Sequence, residues 1–261
     1  MNKARHFGVM IVGDELLSGK RTDKHLSHVI ETLHARGMSV AWSRMVSDNH
    51  NRLVHELKLT QLDSVPVFCF GGIGATPDDQ TRQAAAGAFG MRLLRHPDAV
   101  SMIEDRFGRE AYPNRVRMAD LPEDCLLIPN PHSRIPGFTV FDHHFFPGFP
   151  SLAWTMLDWV LDSYYGHDLQ PEVEKSVRVF DTHESALIQL LDELSAGHPR
   201  AKIFSLPHMA AVASIELGFR GEAAAVEVAF SALQAALKTA AVKFENLDAR
   251  AAASVLRQAV V

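Results

Sequence analysis

Cysteine is scarce in this chain of 261 residues, and its scarcity limits both the chemistry and the compartment. The two cysteines, Cys69 and Cys125, lie inside or beside apolar runs, and neither has a second cysteine at CxxC spacing. Cysteines of this kind are typical of buried free thiols, so we expect no disulfide framework. The expected compartment is a reducing cytoplasm.

Excess positive charge and long apolar runs are also lacking. The formal net charge at pH 7 is −5, whereas proteins that bind the phosphate backbone of a nucleic acid usually have a basic total or a basic face. The apolar run near the start stops at Gly13 and Asp14, which makes it too short for a signal sequence. No run reaches membrane-spanning length. We therefore expect no nucleic-acid partner and no membrane partner.

Strand-like and helix-like segments alternate in the first half of the chain. The strand-like segments are residues 7–13, 38–46 and 65–70. Helical spacing of apolar residues separates them, in residues 22–37 and 51–62, and a further helix follows the third strand. This alternation predicts an α/β fold with a mostly parallel sheet and helices on both faces.

A change of pattern near Gly166 divides the sequence. The stretch YYGHDLQPE, residues 164–172, has the composition of a linker. A strand, a helix, two strands and a long alanine-rich helix follow it, which predicts a small α+β domain. We therefore predict a first domain at residues 1–166 and a second, smaller domain at residues 167–261.

A glycine-rich turn follows the third strand-like segment. In GGIGATPDDQT, residues 71–81, three glycines can adopt positive φ and allow a ligand to approach the backbone. We predict that Thr76 caps the next helix, with Pro77 at its first position and Asp79 at its third. The free N–H groups of such a helix start favour an anion. The turn lacks the lysine of a Walker loop and the third glycine of the dinucleotide fingerprint, so it predicts a phosphate site of another kind.

Carboxylates follow three successive strand-like segments, at Asp14, Glu15, Asp48, Asp78 and Asp79. Acids in a first helical turn are also common at ordinary helix starts, because the helix dipole favours them. The carboxyl ends of parallel strands, however, meet in one crevice, and that is where open sheets bind ligands. Acids and a phosphate site in one crevice would repel an anionic ligand unless a divalent cation lay between them. We therefore expect a phosphorylated ligand bridged by metal.

Several motifs, in a fixed order, carry a resemblance to a known family: GDELLSGK, GGIGATPDDQTRQAAAGAFG, IPNP, IPGF and FPGFPSLAWTML. From about residue 6 to 165 the sequence resembles the CinA-type branch of the molybdopterin-binding MoaB/Mog family. The resemblance implies a three-layer αβα domain with a site for the phosphate of a pterin or a nucleotide. It also implies two family chemistries. Mog-like members adenylylate molybdopterin with Mg-ATP, and CinA-type first domains are linked to metal-dependent hydrolysis of ADP-ribose.

Site residues follow from the strand-end acids and from the matched motifs. We predict catalytic carboxylates at Asp14, Glu15, Asp78 and Asp79. A divalent Mg, Mn or Co ion would be held by Asp14, Glu15 and Asp79. The resemblance implies that a phosphorylated ligand, with molybdopterin as one candidate, contacts Gly13, Gly71, Gly72, Gly74, Thr76, Thr81, Pro147, Gly148 and Pro150.

Three loops depart from the family pattern. Ala75 replaces the usual proline, RTDKH at residues 21–25 replaces an asparagine-containing loop, and Ser133 with Arg134 replaces a glycine and threonine pair. These departures modestly favour binding without turnover, because catalytic geometry tolerates less drift than phosphate binding does.

Three hypotheses remain open from the sequence. The first is a metal-dependent diphosphate hydrolase of the ADP-ribose pyrophosphatase type. The second is a non-catalytic molybdopterin or nucleotide binder, or a molybdenum cofactor biosynthesis factor. The third is a structural protein with a relic site. For each of them we expect a homo-oligomer.

Histidine is abundant, with 14 residues, but its spacing does not predict zinc. There is no HExxH motif and no matched cysteine and histidine spacing. His143 and His144 are adjacent in a strand-like run, so we expect their side chains to lie on opposite faces of the sheet.

Overall fold

A computed structural model describes residues 6–166, 172–208 and 213–247 of the chain. The chain divides into two compact units, Met1–Leu169 and Gln170–Val261. The predicted domain boundary after Gly166 meets residues 167–171, which lie outside the described residues, and it stays a prediction.

The first unit contains both helices and strands throughout its length. Its strands are β1 (His6–Val12), β2 (Ser39–Val46), β3 (Val67–Phe70), β4 (Leu93–Arg95), β5 (Asp120–Pro122), β6 (Leu126–Ile128), β7 (Gly137–Val140) and β8 (His143–Phe146). Its α-helices are α1 (Asp14–Leu17), α2 (His25–Ala35), α3 (His50–Thr60), α4 (Thr81–Phe89), α5 (Pro97–Phe107) and α6 (Pro150–Val160). Short 3₁₀ segments at Gly108–Ala111 and Arg115–Ala119 and a π-helical turn at Leu161–Tyr165 complete it.

The main sheet of the first unit has six strands in the order β2-β1-β3-β8-β7-β6. The strands β2, β1, β3 and β8 run parallel to one another. The strands β7 and β6 are antiparallel to their neighbours and form one edge. The strands β4 and β5 pair with each other in a separate two-stranded sheet. The prediction of an α/β fold with a mostly parallel sheet is therefore confirmed.

The side chains of β1 alternate between two cores, because successive residues of a strand point to opposite faces. Phe7, Val9 and Ile11 pack in a cluster that includes residues of α2 and α6. Met10 and Val12 pack in a second cluster that includes residues of α3 and α4. Helices therefore cover both faces of the sheet, as in the predicted three-layer αβα architecture.

The second helix starts later than its sequence pattern suggests. The carboxylate of Asp23 accepts hydrogen bonds from the backbone N–H groups of His25 and Leu26, both at 2.9 Å, and these bonds fix the helix start. Val29 is buried against the sheet, but Ile30 is 48% exposed because it lies beside the apolar stripe rather than on it.

The second unit is a four-stranded antiparallel sheet in the order β10-β11-β9-β12, with two helices. Its elements are β9 (Val173–Phe180), α7 (Glu184–Gly197), β10 (Ala201–His208), β11 (Ser214–Gly221), α8 (Ala223–Thr239) and β12 (Phe244–Leu247). Alternate residues of β9 and β11, such as Val177 and Leu217, pack in one core with residues of α7 and α8. The predicted order of elements is present, and β12 is an additional strand that the sequence pattern did not reveal. Among the helices that the structure describes, none has the length and apolar composition needed to span a membrane.

Two adjacent buried histidines lie on β8 and face opposite sides of the sheet, as predicted. The Nε2 atom of His143 lies 2.9 Å from the hydroxyl of Thr60. The Nδ1 and Nε2 atoms of His144 lie 2.9 Å from the Thr139 hydroxyl and 2.6 Å from the Tyr165 hydroxyl. Burial lowers the pKa of His143 to about 4 and the pKa of His144 to about 3.

These pKa shifts predict that the stability of the first unit falls as the pH falls. Both rings are neutral in the folded chain but bind a proton near pH 6.5 when unfolded, so the unfolded state gains protons first. We expect the free energy of unfolding to drop by about 2 kcal/mol per buried histidine between about pH 7.5 and pH 5. All three tryptophans lie in the first unit, so their fluorescence in urea titrations measures this unfolding. His144→Gln should reduce the pH dependence, and the exposed control His55→Gln should not. Equal pH dependence in wild type and His144→Gln would contradict the assignment.

A second prediction concerns Gly8, where β1 meets the indole ring of Trp42. A Cβ atom at Gly8 would lie 2.1 Å from Cζ2 of Trp42, so Gly8→Ala must displace the ring. We expect a loss of about 1–3 kcal/mol in the free energy of unfolding, measured by urea titration. Gly87→Ala, whose Cβ would meet its nearest atom at 3.6 Å, is the control and should be neutral or stabilising. In a Trp42→Leu background the Gly8→Ala cost should shrink, and an unchanged cost would show that the ring is not its cause.

Candidate functional site

The carboxyl ends of the parallel strands surround a hollow of about 440 Å³. Its polar wall consists of small backbone-exposing residues, acids and one basic side chain, namely Gly13, Glu15, Arg21, Asp48, Gly71, Gly72, Gly74, Thr76, Asp78, Asp79, Ser133 and Gly148. Its less polar wall consists of Val12, Ile73, Ala75, Met118, Ile135, Pro147, Phe149 and Leu152. The volume is within the range of sites for small molecules.

The glycine-rich turn forms part of this wall, and its backbone conformation leaves no room for a side chain at two positions. Gly71 and Gly72 have φ angles of +103° and +68°. A Cβ atom at Gly71 would lie 2.3 Å from the carbonyl oxygen of Val12. A Cβ atom at Gly72 would lie 2.2 Å from the hydroxyl oxygen of Thr81. The backbone is therefore bare at the strand end, as the sequence predicted.

The predicted cap at Thr76 is wrong, because α4 begins at Thr81. The N–H of Thr81 donates to the carbonyl of Gly72 at 2.9 Å, and its hydroxyl donates to the carbonyl of Gly71 at 3.0 Å. These bonds anchor the helix start directly to the glycine turn. Thr76 instead donates its N–H and its hydroxyl to Oδ2 of Asp79, at 2.9 and 2.5 Å. Residues 76–79 thus form a separate turn before the helix.

Three predicted site residues lie outside the hollow. Thr81 is buried beneath the glycine turn and supports it. Its side chain does not reach a ligand in the hollow. Asp14 is exposed, and its Oδ1 atom faces the N–H of Asp48 at 3.4 Å. Pro150 lines a neighbouring hollow instead. The other predicted residues line the hollow itself, which brings together Glu15 and Asp79 from distant parts of the sequence.

Asp14 and Asp48 connect the ends of β1 and β2. The N–H of Asp14 donates to Oδ2 of Asp48 at 2.8 Å, which complements the longer contact in the reverse direction. The pKa of Asp48 lies above its usual range, chiefly because the carboxyl is partly buried. The negative charges of Asp14, Glu15 and Asp78 raise this pKa further. These acids therefore repel one another across the strand ends.

This repulsion makes the donor chemistry suitable for a divalent cation. Among the described residues, no three His, Cys, Asp or Glu side chains are placed to hold a metal ion together. Mg²⁺, however, usually takes only one or two protein carboxylates and completes its shell with water and phosphate oxygens. Glu15 and Asp48, which line the same hollow, fit that requirement. Hydrogen bonding with Thr76, and then with its own backbone N–H, lowers the pKa of Asp78, which favours the ionised carboxylate.

Arg82 is an important residue that the sequence analysis missed. Its side chain is 3% exposed, and its guanidinium donates to the carbonyl oxygens of Gly74, Arg117 and Asp120, at 2.6, 2.5 and 2.9 Å. Burial lowers the pKa of this guanidinium, which stays charged because its normal value is so high. Arg82 therefore holds the glycine turn against the segment before β5.

Arg21 also went unrecognised as part of the site, whereas Asn130, which belongs to the matched IPNP motif, supports the site without lining it. Arg21 lines the hollow, whereas the adjacent Lys20 and Arg134 of the third departing loop do not. The backbone N–H of Arg21 donates to the carbonyl of Glu15 at 3.0 Å. Asn130 is buried and its Oδ1 accepts the N–H of Ser133 at 3.1 Å, which positions Ser133 at the wall. The buried asparagine in the IPNP motif was the available signal for this loop.

Comparisons with known proteins agree with this architecture. A family model described as "Probable molybdopterin binding domain" matches residues 8–167. A CinA-like protein of Citrifermentans bemidjiense is 34% identical over 192 residues, which are 70% of this chain and 46% of that protein. A CinA-like protein of Desulforapulum autotrophicum is 30% identical over 206 residues, which are 73% of this chain and 49% of that protein. The chain thus spans about half the length of the curated relatives it matches.

A solved structure gives the same result for the fold. The crystal structure of the protein CinA from Thermoplasma acidophilum matches with a TM-score of 0.57 and 27% identity, over 62% of this chain and 98% of that chain. The family model covers more than half of the residues, and the similar sequences are CinA-like. The chain therefore belongs to the molybdopterin-binding-domain family, in its CinA-type branch.

Proposed function

We propose that the strand-end hollow binds a phosphorylated pterin or nucleotide. The observation that supports this most is that bare glycine backbone, carboxylates and an apolar wall line one hollow. A ligand that suits all three carries a flat, weakly polar ring together with phosphate oxygens. The family to which the chain belongs, described as molybdopterin-binding, makes molybdopterin one candidate. A role in molybdenum cofactor biosynthesis is consistent with such a ligand.

A divalent Mg, Mn or Co ion is part of this proposal. Asp48 would hold it together with ligand phosphate and water, and Glu15, which lines the same hollow, would face this water rather than the ion. When bound, such an ion supplies a lower pKa for its water and neutralises phosphate charge. Asp14, which the sequence assigned to the metal, lies outside the hollow, and Oδ2 of Asp79, which it also assigned, accepts both the N–H and the hydroxyl of Thr76. Their first role in this proposal is therefore to keep the strand end and the turn in shape.

Gly148→Ala tests the binding proposal without changing any charge. Its Cβ would lie 3.4 Å from the Cα of Gly71, so the methyl group narrows the hollow while remaining tolerable for the backbone. We expect the wild type to bind molybdopterin, ATP, AMP or ADP-ribose in the presence of Mg²⁺ by calorimetry. Gly148→Ala should weaken that binding by about tenfold or more. Gly87→Ala, in α4 and away from the wall, is the matched control and should bind as the wild type does. If none of the four ligands binds the wild type, the proposal is wrong.

Hydrolysis of a diphosphate is the finer part of the proposal. Water would attack one phosphorus atom, the P–O bond to the bridging oxygen would break, and two phosphate products would form. Glu15 is our candidate for the base that accepts the proton of this water, because its carboxylate lines the hollow beside Gly13. Asp78, also on the wall, would help to position the water or the ion. Arg21, the basic side chain among the described wall residues, would offset charge on the departing phosphate.

Two carboxylate variants separate turnover from binding. Glu15→Gln should keep ADP-ribose binding within about threefold but lower kcat for its Mg²⁺- or Mn²⁺-dependent hydrolysis by about a hundredfold. Asp79→Asn should weaken binding itself, because it removes the carboxylate that holds the N–H and the hydroxyl of Thr76. Glu31→Gln, on the exposed side of α2, is the control. Turnover that is absent in the wild type, or unimpaired in Glu15→Gln, would eliminate the hydrolase.

A binder without turnover is the second candidate, and one observation favours it. The Asp79 carboxylate holds Thr76, and the Asp14 carboxylate faces the N–H of Asp48, so two of the four predicted catalytic acids are already engaged. Carboxylates that hold the backbone in place are less available for catalysis, whereas ligand binding does not require them to be free. Tight calorimetric binding without product formation would identify this function.

A further inference from the structure

The strand β2 forms one edge of the main sheet of the first unit. Within the described residues, β1 is the strand that pairs with β2, and it covers one side of β2. With eight residues, β2 is the longest strand that the structure describes in this sheet. A long edge strand presents a row of unpaired N–H and C=O groups, which is a template for pairing with another strand.

The backbone groups of Ser43 and Met45 point to the open side of β2. The N–H of Gly13, just after β1, donates to the carbonyl of Val46 at 3.1 Å, so Val46 bonds toward β1. Successive residues of a strand alternate in the direction of their backbone groups, and residue 44 therefore also bonds toward β1. Ser43 and Met45 turn their N–H and C=O groups the other way, and both residues are exposed.

The usual protections of an edge strand are sparse in β2. The strand contains no proline and one charged residue, Arg44. The guanidinium of Arg44 binds Glu56 at 3.1 Å and lies 4.6 Å from the ring centre of Trp42, so it is engaged within the chain. A bulge between Val40 and Trp42 interrupts the pairing near the start of the strand, but residues 42–46 continue in regular register. This regular half of β2 is therefore open to a further strand.

Apolar side chains are exposed on β2 and on the helices that contact it. Met45 pairs with Ile11 in register, so its side chain lies on the sheet face that α2 covers. The helices α1 and α2 both contact β2, and they carry the exposed side chains of Leu17 and Ile30. Met45, Leu17 and Ile30 are each about half exposed to solvent. Exposed apolar side chains beside an unpaired strand edge indicate a surface that a partner covers.

The order of residues around Ser43 suits pairing with a second copy of this chain. In antiparallel pairing about a two-fold axis at Ser43, this serine faces the partner's Ser43 and Trp42 faces the partner's Arg44. A guanidinium and an indole ring attract each other. An axis at Arg44 would instead place like charges opposite each other, and an axis at Trp42 would put the bulge at the centre of the pairing. The sequence of β2 thus favours one self-pairing register.

We propose that two copies of this chain pair antiparallel through β2, about a two-fold axis at Ser43, so that their main sheets join into one continuous sheet. Each Ser43 then exchanges two backbone hydrogen bonds with the partner's Ser43, and the exposed side chains of Met45 and Ile30 lie at the interface. Both chains use the same edge, so the assembly is closed and stops at a dimer. This interface is independent of the proposed function, which concerns the ligand of the strand-end hollow.

Charge at the axis tests this pairing, because a residue on a two-fold axis meets its own copy. In analytical ultracentrifugation at micromolar concentration, the wild type should have twice the mass of one chain. Ser43→Glu and Ser43→Lys should each weaken the dimer by about tenfold or more, because like charges meet at the axis. An equimolar mixture of the two variants should form dimers again, since opposite charges then meet. Ser101→Glu, at an exposed position of α5, is the matched control and should stay dimeric.

Three outcomes would overturn the inference. The first is a wild type that is monomeric at these concentrations, which would leave the edge to a different chain. The second is a Ser43→Glu variant that dimerises as strongly as the wild type, because the dimer would then use another surface. The third is a mixture that stays monomeric although both variants are folded, as judged by tryptophan fluorescence in urea titrations. Each of these outcomes leaves ligand binding by the strand-end hollow unaffected.

A cross-link measures the register and covers the case in which the charged variants do not fold. Residues that exchange backbone hydrogen bonds in an antiparallel pair have Cα atoms about 5.5 Å apart, a separation that suits a disulfide. Ser43→Cys should therefore form a covalent dimer on mild oxidation, seen by electrophoresis without reductant. The two native cysteines are buried, so they should not contribute. Leu62→Cys, at an exposed position after α3, is the control and should stay monomeric, and equal cross-linking of both variants would overturn the assignment of Ser43 to the axis.

Discussion

The close approach of the backbone at Gly71 to the carbonyl oxygen of Val12 is the constraint on which the candidate site depends. Any side chain at position 71 would place Cβ 2.3 Å from that oxygen, so the end of β3 can pass the end of β1 only as glycine. Because the chain passes there, the acidic residues after β1 lie beside the glycine turn. The anchoring of Thr81 to the same turn then fixes where α4 can begin.

Polar groups at the strand ends serve the backbone and the site together. Asp14 and Asp48 connect the ends of two strands, and Asp79 organises the turn at Thr76. Backbone N–H groups partly compensate the acids, which lets several negative charges stay close to one another. Partial burial raises the pKa of Asp48 most and the neighbouring negative charges raise it further, and a cation or a cationic side chain would relieve that repulsion. The same few carboxylates thus stabilise the strand ends and, in the proposed function, contribute to ligand binding.

The layer order and the crevice followed from the sequence because their signals are local and strong. Apolar periodicity defined β1, β2 and β3, and the positions of the acids at strand ends placed Glu15 and Asp79 in one hollow. The start of α4 did not follow. The residues from Thr76 to Asp79 match a usual helix start, and contacts between Thr81 and the glycines overrode that signal.

Arg82 could not be found from local sequence for a related reason. Its burial depends on carbonyl groups far along the chain, such as that of Asp120. A cation on the alanine-rich face of α4 was the only available sign.

The three-carbonyl environment of Arg82 has a consequence for how this protein can diverge. Lysine cannot replace the fork of donors that reaches Gly74, Arg117 and Asp120 at once. Almost every substitution of Arg82 should therefore lower stability. The segment that supplies two of those carbonyls also buries Val116 and Ala119, so its backbone path is fixed by packing as well as by Arg82. Insertions there would be transmitted to the glycine turn, so we expect homologues to differ in length elsewhere and to keep this stretch constant in length.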